Sequence, residues 1–121
     1  MSGEEIPGVR LTRVGDVPFT GLDGNPAVQL SRVVTAVGST ELGGGFIRFE
    51  PNGELSEWTL RYDEVLLVLD GQMEVISGGR SVIAGPEECI VISKGTTVTY
   101  KGKAGTRAFF VLFPREWATR S

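Results

Sequence analysis

The run Trp58-Thr59-Leu60-Arg61-Tyr62-Asp63-Glu64-Val65-Leu66-Leu67-Val68-Leu69-Asp70-Gly71 holds two apolar segments joined at a charged step and closed by a turn. Alternate side chains of a strand share a face. Glu64, Leu66 and Val68 therefore look one way, and Val65, Leu67 and Leu69 the other. Asp70-Gly71 between apolar runs predicts a hairpin. Outward from this stretch the same grammar repeats. Gln72 to Ile76 returns from the turn, and Ser77-Gly-Gly-Arg80 is a second tight turn. Ser81–Ile83, Cys89–Ile92, Thr96–Tyr100 and Arg107–Phe113 read as further strands. Upstream, Trp58 to Tyr62, Phe46 to Glu50, the alternating segment Ala27 to Ala36, and Val9 to Val14 as a first edge strand complete about ten. Gly43-Gly-Gly45 reads as a flexible turn, and Gly21 to Pro26 is dense in turn residues. No amphipathic helix of three turns is present. Short strands at this spacing argue for a sandwich or barrel.

Composition sets the limits. A chain of 121 residues is one domain with room for its own core. We divide it into a loose lead-in (1–8), a β-barrel (9–113) and a tail (114–121) that could hold one helical turn. Seventeen glycines and six prolines fit many tight turns. A net charge of −3 gives no footprint for nucleic acid or an anionic membrane. No apolar run can span a bilayer and the first ten residues lack a signal-peptide core. The single cysteine, Cys89, lies in an apolar run expected to be buried and cannot form an internal disulfide. Cytoplasmic residence follows as the default.

The spacing of Glu64 and Gly71, with six residues between them, resembles the first motif of the cupins, in which two histidines one residue apart precede the glutamate. The histidine positions fall on Trp58 and Leu60. The second motif falls on Ser93-Lys94-Gly95, and its histidine position becomes Val98. The resemblance implies an all-β, single-domain, cupin-like jelly-roll β-barrel. The chain has no histidine at all, and one carboxylate cannot replace three imidazoles and a carboxylate as a tight transition-metal site. No metal and no cofactor are therefore expected. Trp58-Thr-Leu-Arg-Tyr-Asp-Glu64, the Ser93-Lys-Gly-Thr-Thr turn and Phe113-Pro-Arg-Glu-Trp117 look like the ethanolamine-utilisation EutQ-type branch of the cupins. That branch commonly carries an additional N-terminal region, which this chain is read as lacking, and the resemblance suggests an acetate kinase activity. No Walker-type loop accompanies it here.

If Glu64 points inward as the cupin ligand does, Leu66 and Val68 point with it, and Thr96, Val98 and Tyr100 line the opposite wall. Trp58 and Leu60 face the cavity. Arg48 shares a face with Phe46 and Glu50, while Ile47 and Phe49 share the other; which of the two is inward stays open. The candidate catalytic residues are Glu64, Tyr62 and Tyr100. Trp58, Leu60, Arg48, Leu66, Val68, Thr96 and Val98 are the candidate ligand contacts. Burial should raise the Glu64 pKa and suit it to acid–base work. The competing reading pairs Glu64 with Arg48, Arg61 or a backbone amide. Trp58 is either core filler or a stacking surface, and Asp63 is a turn or surface residue. Three functions follow: a metal-independent small-molecule-binding cupin; a metal-free isomerase, lyase or cyclase acting on a largely apolar substrate; or a non-catalytic structural or regulatory dimer. The outward stripe Val65, Leu67, Leu69 predicts a homodimer.

Overall fold

A computed structural model describes residues 6–38 and 40–119. Residues 1–5 of the expected lead-in and 120–121 of the tail lie outside them. The ten strands are β1 (Thr20–Leu22), β2 (Asn25–Ser31), β3 (Gly43–Phe49), β4 (Glu54–Thr59), β5 (Asp63–Asp70), β6 (Met73–Ser77), β7 (Arg80–Ala84), β8 (Cys89–Ile92), β9 (Thr97–Gly102) and β10 (Arg107–Phe113). They form two sheets, ordered β1-β2-β3-β10-β5-β8 and β4-β9-β6-β7, in which neighbouring strands run antiparallel. This is the expected all-β jelly roll, built as a sandwich whose two sheets remain separate rather than closing into one hydrogen-bonded barrel. No helix of the described residues is long and apolar enough to cross a membrane.

Period-two alternation decides what meets between the sheets. β5 buries Glu64, Leu66 and Val68 and turns Asp63, Val65, Leu67 and Leu69 outward. β10 buries Ala108, Phe110 and Leu112. Ile47 and Phe49, not Arg48, are the inward residues of β3. With Val28, Met73, Val75, Ile90 and Val98 they make one contiguous core. Each fully buried Val or Met side chain contributes ~1.5–3 kcal/mol. Asp63 is exposed, as expected, and its Oδ1 accepts the Lys94 backbone N–H at 2.8 Å, tying the start of β5 to the turn before β9.

Several segments depart from the expectations. Val9 to Val14 forms no strand: Ile6 and Val9 make an isolated bridge, and Leu11 is 72% exposed. Alternation alone did not supply a partner edge. The strand expected over Ala27 to Ala36 ends at Ser31, and a helix α1 (Val33–Val37), closed by left-handed Gly38, turns the chain back toward β3. Gly43-Gly-Gly45 is not a turn but the first half of β3. The segment expected as a strand from Trp58 to Tyr62 ends at Thr59 and bends through Leu60 to Tyr62. Asp70-Gly71 joins β5 of one sheet to β6 of the other, so it is a corner between sheets. The Asp-Gly pair that closes a hairpin is Asp23-Gly24, between β1 and β2. Ser77 and Arg80 pair across Gly78-Gly79, both at positive φ, as the second tight turn requires. Cys89 is exposed, because β8 is an edge strand that buries Ile90 and Ile92 instead.

Candidate functional site

Between the sheets lies a cavity of about 330 Å³. The six-stranded sheet contributes Leu30, Ile47, Glu64, Leu66, Phe110 and Leu112. The four-stranded sheet contributes Leu55, Trp58 and Tyr100. Tyr62 enters from the bend before β5, Leu22, Asp23 and Arg32 from the ends of β1 and β2, and Trp117 from the C-terminal 3-10 turn. A volume of this order suits a small ligand in a mostly apolar pocket with few polar groups.

A bulge in β4 brings two of these walls together. Leu55 pairs with Tyr100 and Trp58 with Val98, so β4 carries one residue more than β9 over the same span. Glu57, at φ 50, absorbs the extra residue. Leu55 and Trp58 would otherwise face opposite ways, and the bulge aims both at the cavity.

Three hydrogen-bonding groups define its chemistry. Glu64 is 7% exposed, and its Oε1 accepts the Tyr100 hydroxyl at 2.7 Å. Oε2 has no protein partner among the described residues and is open to the cavity. Burial disfavours the charged form and pushes the Glu64 pKa up to about 7, against a smaller downward pull from the Tyr100 hydrogen bond. Tyr62 Oη accepts the Trp58 indole N–H at 2.8 Å. Burial and then the neighbouring Glu64 charge push the Tyr62 phenol up to about 12, with the Trp58 hydrogen bond and Arg32 pulling it down. Tyr100 is held well above the usual phenol range, first by burial and then by Glu64. Trp117 packs edge-on against Trp58, with ring centroids 5.7 Å apart, and tilted against Tyr62 at 5.2 Å.

Of the residues singled out in the sequence, the structure gathers Glu64, Tyr62, Tyr100, Trp58 and Leu66 around this cavity. Leu60 and Val68 are buried in the core outside its lining. Thr96 and Val98 line a separate groove of about 420 Å³ between the β6–β7 hairpin and β8. Arg48 points away from the core, its Nε donating to Gln29 at 2.6 Å and its guanidinium 4.1 Å from the Phe19 ring centroid. Neither Arg48 nor Arg61 pairs with Glu64; Arg61 lies over Trp117, at 5.8 Å from its ring centroid. Trp58 is half-buried at the cavity wall. Sequence reasoning missed Arg32 and Trp117. Trp117 belongs to the Phe113-Pro-Arg-Glu-Trp117 motif, and only the turn after β10 brings it back over the cavity.

The residues at the cupin metal positions do not fit a metal. Leu60 and Val98 offer no donor atom, and the indole nitrogen of Trp58 is a donor committed to Tyr62. No group of three or more His, Cys, Asp or Glu side chains converges among the described residues.

Comparison with known proteins agrees with this architecture. The chain is 30% identical to acetate kinase EutQ of Clostridioides difficile (strain 630) over 98% of its own length and 78% of the relative. The solved structure of the Clostridium difficile EutQ protein superimposes with a TM-score of 0.80 at 31% identity, covering 97% of this chain and 88% of that one. Against acetate kinase EutQ of Escherichia coli (strain K12) identity is 28% over 91% of this chain, which spans about half of that relative, 47%. At 13% identity an RmlC-like cupin from Shewanella frigidimarina shares the fold, with a TM-score of 0.71 over 88% of this chain and 91% of that one. The family described as ethanolamine utilisation protein EutQ matches residues 2–119. With nearly every residue inside that match, the chain belongs to the EutQ family.

Proposed function

We propose that this chain binds a small, largely apolar molecule in the cavity between its sheets, without a cupin metal. The observation that carries this reading is a single desolvated carboxyl, Glu64, oriented by Tyr100 inside an apolar and aromatic enclosure. A buried carboxyl with no cationic partner costs stability, and a bound molecule with a hydrogen-bonding group supplies the missing partner. The raised Glu64 pKa favours a second reading, a metal-free isomerase, lyase or cyclase, because an acid–base group works best near the operating pH. The name of the Clostridioides and Escherichia relatives brings a third, acetate phosphorylation.

The chain's two tryptophans, Trp58 and Trp117, both line the cavity, so intrinsic fluorescence reports its occupancy. A panel of small apolar acids, ketones and phenols titrated into the full chain should include at least one that changes the emission saturably. Trp58→Ala should weaken that ligand by about tenfold or more, consistent with an aromatic contact of ~1.5 kcal/mol. A ligand that binds Trp58→Ala and Glu64→Gln as tightly as the parent does not occupy this cavity and would sink the reading. Saturable ADP formation from ATP and acetate would replace it with the phosphorylation reading.

A further inference from the structure

Three groups around the cavity are left incomplete by the described residues. Glu64 uses Oε1 for the Tyr100 hydroxyl and keeps Oε2 open to the cavity. The Tyr62 hydroxyl accepts the Trp58 N–H on one lone pair, while its own proton has no protein acceptor among the described residues. Arg32 stands at the mouth, exposed, with no ion pair or side-chain hydrogen bond among the described residues. A base, an O–H donor and a cation thus share one small apolar enclosure. Binding through Glu64 alone would leave the Tyr62 proton and the Arg32 charge unused.

We infer that the cavity catalyses reversible proton transfer at the carbon next to the carbonyl of a small oxo acid, with Glu64 as base, Tyr62 as donor to the developing oxyanion and Arg32 as anchor for the carboxylate. The inference rests on the cavity being the ligand site. In the forward step the C–H bond breaks and its proton passes to Glu64 Oε2. The bonding pair becomes the new C=C, and the carbonyl π pair moves onto oxygen, where the Tyr62 O–H holds it. The indole N–H of Trp58, donating to Tyr62 Oη, makes that phenol a stronger donor. Reversal returns the proton to the same carbon, or to the far end of a conjugated system, which is isomerisation. No electron acceptor or other co-reactant is consumed. Apolar walls from Leu30, Ile47 and Phe110 keep water from competing for the oxyanion. Asp23, Arg32, Tyr62 and Tyr100 are the charged or titratable side chains that share the cavity with Glu64. Asp23 is exposed on the β1–β2 turn at the mouth, so it opposes a carboxylate there and leaves Arg32 as the anchoring charge.

The test is hydrogen–deuterium exchange, followed by proton NMR in D₂O, of pyruvate, levulinate and methyl levulinate with the full chain, alongside fluorescence titration of the same probes. At least one oxo acid should exchange about tenfold or more above the protein-free rate, and the rate should rise through about pH 7 as Glu64 ionises. Glu64→Gln should abolish the acceleration, and Tyr62→Phe should slow it by about a hundredfold. Arg32→Ala should erase the preference for levulinate over its methyl ester. Tyr100→Phe keeps the carboxyl but removes the hydrogen bond that lowers its pKa, so the pH midpoint should move upward; this readout stands even if Glu64→Gln fails to fold. Acceleration that survives Glu64→Gln overturns the inference. Probes that quench the tryptophans without exchanging overturn it while leaving the binding reading intact. Absence of both binding and exchange, in a panel where no apolar ligand binds, overturns both.

Discussion

At the scale of single residues, Glu64 ionises near its ordinary value in the unfolded chain and near 7 in the folded one. Its folded-state pKa is raised, so the folded state holds the proton more tightly. The stability this provides is complete below the unfolded value of about 4.5 and is lost as pH rises through about 7. A shift of this size corresponds to about 3 kcal/mol, to order of magnitude. Urea denaturation of the parent should therefore show stability falling between about pH 4.5 and pH 7. In Glu64→Gln that slope should be absent, and above pH 7 the variant should be at least as stable as the parent. A parent whose stability is flat or rises across this window would show that the carboxyl is not desolvated. The burial of Glu64 was legible in the sequence, because alternation placed it with Leu66 and Val68. Its partner was not. Tyr100 lies on β9, in the other sheet, and only the packing of the two sheets brings its hydroxyl to Oε1.

At the scale of elements, alternation and turn residues located most strands; they failed where a strand lacked a partner edge, as at Val9 to Val14, and where glycine had more than one use. Gly43-Gly-Gly45 looked like a turn because glycine is common there. In β3 it serves close approach between β2 and β10. Gly45 sits at φ 155, and a Cβ there would stand 2.0 Å from the Ser31 carbonyl oxygen and 2.8 Å from the Val33 nitrogen. Backbone cannot yield as a flexible side chain would. Gly45→Ala should thus destabilise by about 2–4 kcal/mol through combined strain and overlap, read as a lowered urea midpoint with an unchanged m-value. A loss under about 0.5 kcal/mol would mean that β3 can shift away from Ser31. Gly71 misled in the opposite direction. Its positive φ fits a turn, but a Cβ would lie 2.4 Å from Thr106 Oγ1, and that threonine clasps Gln72 through both its backbone N–H and C=O. The corner between sheets is set by this clasp, which joins residues thirty-four positions apart and leaves no local signature.

At the scale of the whole molecule the two faces of the six-stranded sheet differ in what they present. The inner face carries the cavity; the outer face is apolar across four strands. Register aligns Phe46, Phe109, Leu67 and Cys89 in one outward row and Gly44, Val111, Val65 and Val91 in the next. Phe46 and Phe109 meet edge to face at 5.3 Å, while Val65 is 36% and Val91 76% exposed. The adjoining row is polar: Arg48 holds Gln29, and Arg107 pairs with Asp70 at 2.9 Å. An apolar centre bordered by hydrogen-bonded charges is the anatomy of a protein interface. A single continuous patch of this kind matches itself across a two-fold axis, the commonest closed symmetry, so a second copy is the expected occupant. The edge strand β8, which carries Val91, adds a side that pairs with no further strand among the described residues. Sedimentation at micromolar concentration should accordingly give a dimer. Val91→Asp places a charge at the β8 end of the patch, at a position the isolated fold leaves exposed. It should therefore yield a monomer whose circular dichroism matches the parent and whose cavity tryptophans still respond to ligand. A parent chain that sediments as a monomer would refute the pairing, and a Val91→Asp chain that remains a dimer would move the interface off this face.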